Sequence, residues 1–108
     1  MAYIHSNILS VGGTPQKLYG LVESDIVLTE LTLTNINDTQ SCLIDLFLYG
    51  SHTSVTGQRF YIIKNLTLFK GTSIQFDSSD IGYDNKLYDL YIQLRDSSSK
   101  LDVKLKTT

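Results

Sequence analysis

A chain of 108 residues, 42% hydrophobic and only 19% charged, is the size of one domain and has an unusually neutral surface, part of which is expected to be covered by a partner. A net charge of −2, with the basic residues scattered singly, argues against both a phosphate-tracking patch and a membrane-seeking stripe. The single cysteine, Cys42, excludes an intrachain disulfide and a cysteine-based zinc site, and its place at the head of an apolar run reads as a small buried hydrophobe.

In chain order, residues 4–11 are almost uncharged and end in Gly12-Gly13-Thr14-Pro15, a turn cluster holding the only proline. Residues 16–23 form a second candidate strand with Gly20 inside it as a bulge. Residues 26–35 alternate on Val27, Thr29, Leu31 and Leu33, and their β-branched threonines favour strand over helix. After a polar turn, residues 42–49 place Cys42, Ile44, Leu46 and Leu48 on one face. A polar loop over 51–58 precedes strand residues 59–64, which 66–69 extend before Lys70-Gly71 turns the chain into 72–77. Residues 77–85 then read as the longest polar connection.

The last two runs alternate almost without error. Tyr88, Leu90, Ile92 and Leu94 oppose Asp89, Gln93 and Arg95, and Leu101, Val103 and Leu105 oppose Lys100, Asp102, Lys104 and Lys106. With Asp96-Ser97-Ser98-Ser99 between them they read as a hairpin with one face on the core and one charged face outside, Tyr91 being the exception. That charged face directs the expected contact surface elsewhere, to the middle strands and the N-terminal stretch. About eight short strands with tight turns and no helical period predict an all-β fold: a single antiparallel β-sandwich over residues 1–108, jelly-roll-like or immunoglobulin-like, with 1–15 as a candidate extended arm.

Targeting and chemistry are sparse. The start, Met-Ala-Tyr-Ile-His-Ser, lacks a basic segment followed by an apolar core, and no apolar run approaches a membrane span, so the expectation is a protein made in the cytoplasm and not secreted. Asn37-Asp38-Thr39 and Asn65-Leu66-Thr67 match the glycosylation acceptor pattern by chance and belong to turns or strand edges. His5 and His52 have no carboxylate or thiol at metal-ligand spacing, and they read as surface residues. Asp77, Asp80 and Asp84 resemble a loose calcium loop without its glycine and closing glutamate, and turn-forming aspartates account for them better. No nucleophile, base and oxyanion donor can be assembled, so no catalytic residue, metal or cofactor is expected.

A second apolar face does stand out. On 42–49 the outward positions include Leu43, Phe47 and Tyr49, and on 59–64 both faces carry bulky residues, Phe60 and Ile62 against Tyr61 and Ile63. Either these are central strands covered on both sides within the domain, or the patch meets another subunit, where tyrosine is enriched and charge depleted. Candidate contact residues are Tyr3, Ile4, Phe47, Tyr49, Tyr61 and Ile63.

Leu18-Tyr19, Leu31-Thr32-Leu33-Thr34-Asn35, Tyr61-Ile62-Ile63 leading to Leu66-Thr67-Leu68-Phe69-Lys70-Gly71-Thr72, and Lys100-Leu101-Asp102-Val103 resemble segments of small β-sandwich virion proteins of tailed bacteriophages. Those modules have a strand ending in Thr-Asn, a later turn with proline and glycine, and a closing strand with an aspartate; Phe69 stands where that pattern has proline. The resemblance implies a non-enzymatic structural protein of the virion, a capsid decoration (cement) protein in the first reading and a neck, tail, baseplate or fibre part in the second. It implies the major capsid protein or other virion subunits as partners, with homo-oligomers and neither nucleic acid nor membrane. A carbohydrate-binding sandwich using exposed tyrosines is the rival of another class, and a small hydrolase the weaker one.

Overall fold

The computed structural model describes residues 2–9, 14–19, 27–50, 57–82, 87–95 and 100–108. Period-two runs become strands throughout: β1 (Ala2–Leu9), β2 (Gln16–Tyr19), β3 (Leu28–Asn35), β4 (Cys42–Gly50), β5 (Arg59–Leu68), β6 (Ser73–Asp77), β7 (Tyr88–Leu94) and β8 (Lys100–Thr107). They form two antiparallel four-stranded sheets, ordered β1-β8-β3-β6 and β2-β7-β4-β5. β1 thus lies beside β8, β2 beside β7, β3 beside β6 and β4 beside β5, the pairing of one long hairpin rolled over on itself. That is the strand order of a jelly roll, so the fold is a β-sandwich of the jelly-roll kind and not the immunoglobulin kind.

This order overturns the terminal hairpin. β7 pairs with β2 and β4, whereas β8 pairs with β1 and β3, so the two best-alternating strands sit in opposite sheets. Alternation reports that a strand is half-buried and is silent about its neighbour; both strands turn their apolar faces to one core from opposite sides. The serine-rich link 96–99 lies outside the described residues, as do Gly20, His52 and Asp84. The expected N-terminal arm is likewise corrected over residues 2–9: Ala2–Leu9 is an edge strand in unbroken register with β8, from Ala2 opposite Thr107 to Leu9 opposite Lys100.

Between the sheets Leu31, Leu33, Leu101 and Leu105 meet Ile44, Leu46, Leu90 and Ile92, all fully buried. One end of the core is closed by Asn35, a buried polar residue whose bonds are met. Its Nδ2 donates to the carbonyls of Leu68 (2.9 Å) and Gln40 (3.1 Å), and its Oδ1 accepts the backbone N–H of Asn37 (2.8 Å). Its own carbonyl accepts the N–H of Gly71 (2.9 Å), whose φ of +70° suits the turn after β5 to a glycine. Cys42 is buried beside this network, as the sequence suggests.

The polar connection after β6 contains one turn of helix, α1 (Ser78–Ile81), that alternation does not disclose. Asp77 Oδ1 accepts the N–H groups of Ser79 (3.0 Å) and Asp80 (3.1 Å), and Asp80 Oδ2 accepts the N–H of Asp77 (3.1 Å). This is a capping box, which gives both carboxylates a local occupation.

Candidate functional site

The outer face of the β2-β7-β4-β5 sheet is built from β4 outward. Because Ile44, Leu46 and Leu48 point into the core, Phe47 and Tyr49 must point away from it. Register then aligns Lys17 of β2, Tyr91 of β7, Phe47 of β4 and Tyr61 of β5 in one row across the sheet, with Tyr49 opposite Arg59 in the next. Among the described residues no second layer covers this face, yet Phe47 is 0% exposed. Its neighbours bury it: Tyr61 at 5.4 Å between ring centroids, Tyr91 stacked at 5.7 Å, and the Arg59 guanidinium 4.5 Å over the ring. Tyr49 packs against Tyr91 at 5.7 Å, and Lys64 Nζ lies 4.8 Å over Tyr61. Pro15, Phe47, Tyr49, Arg59 and Tyr91 line a shallow depression of about 300 Å³.

The edge of this platform is held by an irregularity in β5. From Ile44 to Phe47 β4 advances three residues, while their partners in β5, Leu66 and Tyr61, are five apart, so β5 carries two extra residues. Asn65 takes the strain with φ +60°, and its N–H is accepted by Asp45 Oδ1 at 2.8 Å. Asp45 is 3% exposed, its other oxygen lies 3.8 Å from Arg95 Nε, and Arg95 also donates to Asn65 Oδ1. The bulge accounts for the two greasy faces read on 59–64: both Ile62 and Ile63 pack against the core.

Of the six candidate contact residues, three come together here. Tyr49 and Tyr61 are at the surface, Tyr61 being 41% exposed, while Phe47 is the pedestal beneath them and offers no surface of its own. Ile63 is a correction: it faces Leu46 and packs inward. Tyr3 and Ile4 lie on β1, in the other sheet, Tyr3 under Lys104 and Lys106. The platform includes residues the sequence reading passed over, Arg59, Pro15 and Tyr91. Tyr91 had a signal, as the one aromatic on an otherwise polar face. The aromatic platform thus draws on β7, one of the two closing runs whose outward faces the sequence reads as charged.

The opposite outer face is polar. His5, Asn7, Thr32, Thr34, Asp102 and Lys104 line a depression of about 290 Å³, with Asn7 Nδ2 donating to Asp102 and Thr34 bonded to Ser73. Among the described residues no group of three or more His, Cys, Asp or Glu side chains is arranged to hold a metal.

No protein-family model matches this chain. No curated protein matches it in sequence. Among solved structures it is similar to the SPBc2 prophage-derived protein YomS, with a TM-score of 0.49 and 10% identity over 100% of this chain and 96% of that one, an overlap too loose to carry function across.

Proposed function

We propose that this chain is a non-enzymatic structural protein of a phage particle that docks onto other virion subunits through the outer face of its β2-β7-β4-β5 sheet. The observation that carries the docking reading is the Tyr49-Tyr61-Tyr91-Arg59 platform on a buried Phe47, since tyrosine and arginine over a desolvated base are the composition of interface hot spots. The phage setting comes from the resemblance of its strand and turn segments to small virion modules. Within that setting the first reading is a decoration protein on the assembled head, and the second a neck, tail, baseplate or fibre part.

The platform's lining, Pro15, Phe47, Tyr49, Arg59 and Tyr91, contains no carboxylate, imidazole or thiol to move a proton. A sugar platform needs free ring faces, and here Arg59 covers Phe47, Lys64 covers Tyr61 and Tyr91 stacks on Phe47, which favours a protein partner over a glycan. A module that binds only the assembled shell stabilises it by mass action, and many copies multiply the effect.

Mass spectrometry of purified particles of the phage that encodes this chain should find it in copy numbers near those of the coat protein. A handful of copies would move it to the neck, tail or baseplate, and its absence from particles would sink the proposal. Arg59→Ala combined with Tyr91→Ala is expected to leave a folded sandwich that no longer attaches to particles lacking the native chain.

A further inference from the structure

The sandwich has four strand edges, β1 and β6 in one sheet and β2 and β5 in the other, and three of them are guarded. β2 is four residues long, carries Lys17 and breaks register between Lys17 and Tyr19. β5 is bent by its two-residue bulge and carries Arg59 and Lys64, while β6 has five residues and runs straight into α1. Short length, bulges and lysines are the devices that stop an edge from recruiting another strand.

β1 has none of them. Ala2–Leu9 runs eight residues in unbroken register with β8 and contains no Asp, Glu, Lys, Arg, Pro or Gly. Among the described residues no backbone group bonds to its outer side beyond the ladder to β8. The core is also open there. Ile4 lies opposite Leu105, which points inward at 1% exposure, yet Ile4 itself is 40% exposed, and among the described residues no strand lies beyond it in the sheet. Further along the same strand Ile8 is buried, so the opening is confined to the first half of β1.

We infer that β1 is a self-association edge that pairs antiparallel with β1 of a second copy of this chain, joining two four-stranded sheets into one of eight strands. An antiparallel two-fold contact places the same segment on both sides, so the occupant must tolerate its own charges. A segment without charged side chains meets that condition in every register, whereas β5 would bring Arg59 and Lys64 close to their own copies. Inward residues must face inward ones across the contact, which restricts pairing to registers centred on a residue, His5 or Ser6 being the central ones. Either places the two copies of Ile4 on one inner face, where each gains cover from the other strand, and adds about six to eight backbone hydrogen bonds. The contact is separate from the aromatic platform and does not depend on what that platform binds.

Light scattering behind size exclusion should give the full chain a dimer's mass, falling to a monomer's on dilution. Ile4→Lys places a charge on both sides of the contact and should raise the dissociation constant about a hundredfold. Thr67→Lys, at an exposed position of the β5 edge outside the aromatic platform, should leave it unchanged. Amide exchange of the unaltered chain at two concentrations provides a test that needs no variant: protection of residues 2–9 should rise with concentration while that of β5 stays constant. A chain that stays monomeric at every concentration, or a dimer whose concentration-dependent protection falls on β5 or the aromatic platform, overturns the inference.

Discussion

Asp45 is the residue on which the platform's edge depends. Its carboxylate is almost wholly withdrawn from water, and its bond to the Asn65 N–H fixes β5 in the left-handed region that asparagine tolerates and most non-glycine residues avoid. Asp45→Ala removes that acceptor and leaves Arg95 without its carboxylate, at a cost of about 2 kcal/mol in urea unfolding, while Asp45→Asn keeps an acceptor and should cost less. Phe47 and Tyr61 divide along the same line between fold and surface. Phe47→Ala should destabilise by about 3 kcal/mol because a buried ring is lost, whereas Tyr61→Ala should stay within about 1 kcal/mol of the parent and act on binding instead. At Asp77 the test is acid. Hydrogen bonds from the Ser79 hydroxyl and then the Asp80 and Ser79 N–H groups outweigh a small desolvation and hold its carboxyl below the ordinary aspartate range. A depressed folded value means that the capping contribution is complete above the unfolded pKa and is lost as pH falls through the folded one. Carboxyl chemical shifts followed through an acid titration should show Asp77 protonating after ordinary aspartates, and Asp77→Asn should remove that step from the acid unfolding of α1.

At the scale of elements, the informative contrast is between strands that look alike in sequence. β7 and β8 alternate equally well, but β7 is flanked on both sides by aromatic-bearing strands of one sheet and β8 lies between β1 and β3 of the other. Their inner faces were legible, because Leu90, Ile92, Leu94, Leu101, Val103 and Leu105 are all buried as the period of two requires. Their partners were not, because pairing is a property of two segments and the pattern describes one. β5 shows the opposite case, in which a pattern that breaks the rule has a cause. Two adjacent isoleucines both reach the core because the bulge shifts the strand between them, and the αL residue that permits it, Asn65, is of a type that tolerates positive φ. In the sequence the lack of charge over β1 suggests an arm; on a strand at the rim of a sheet, the same lack of charge leaves its outer edge open to a second copy.

For the whole molecule, the strand order makes β4–β5 the only pair of described strands adjacent in both sequence and sheet, so the other five of the six strand pairings join elements that are not consecutive in the chain. The aromatic platform follows from this arrangement. Tyr91 and Phe47 meet only because β7 returns to lie beside β4, and Arg59 and Tyr61 complete the surface from the far side of the β4–β5 turn. The sequence by itself determined the all-β class, the approximate number of strands, the inward faces of β3, β4, β7 and β8, the buried Cys42 and the turn at Lys70-Gly71, since all of these depend on the period of two and on local turn chemistry. Only the tertiary structure decided which sheet each strand joins, that Phe47 is a pedestal and not a surface, that Ile63 faces inward, and that one edge of four lacks a guard. Each of those depends on what lies across a sheet from a residue, and that is set by cross-strand register between segments far apart in the chain.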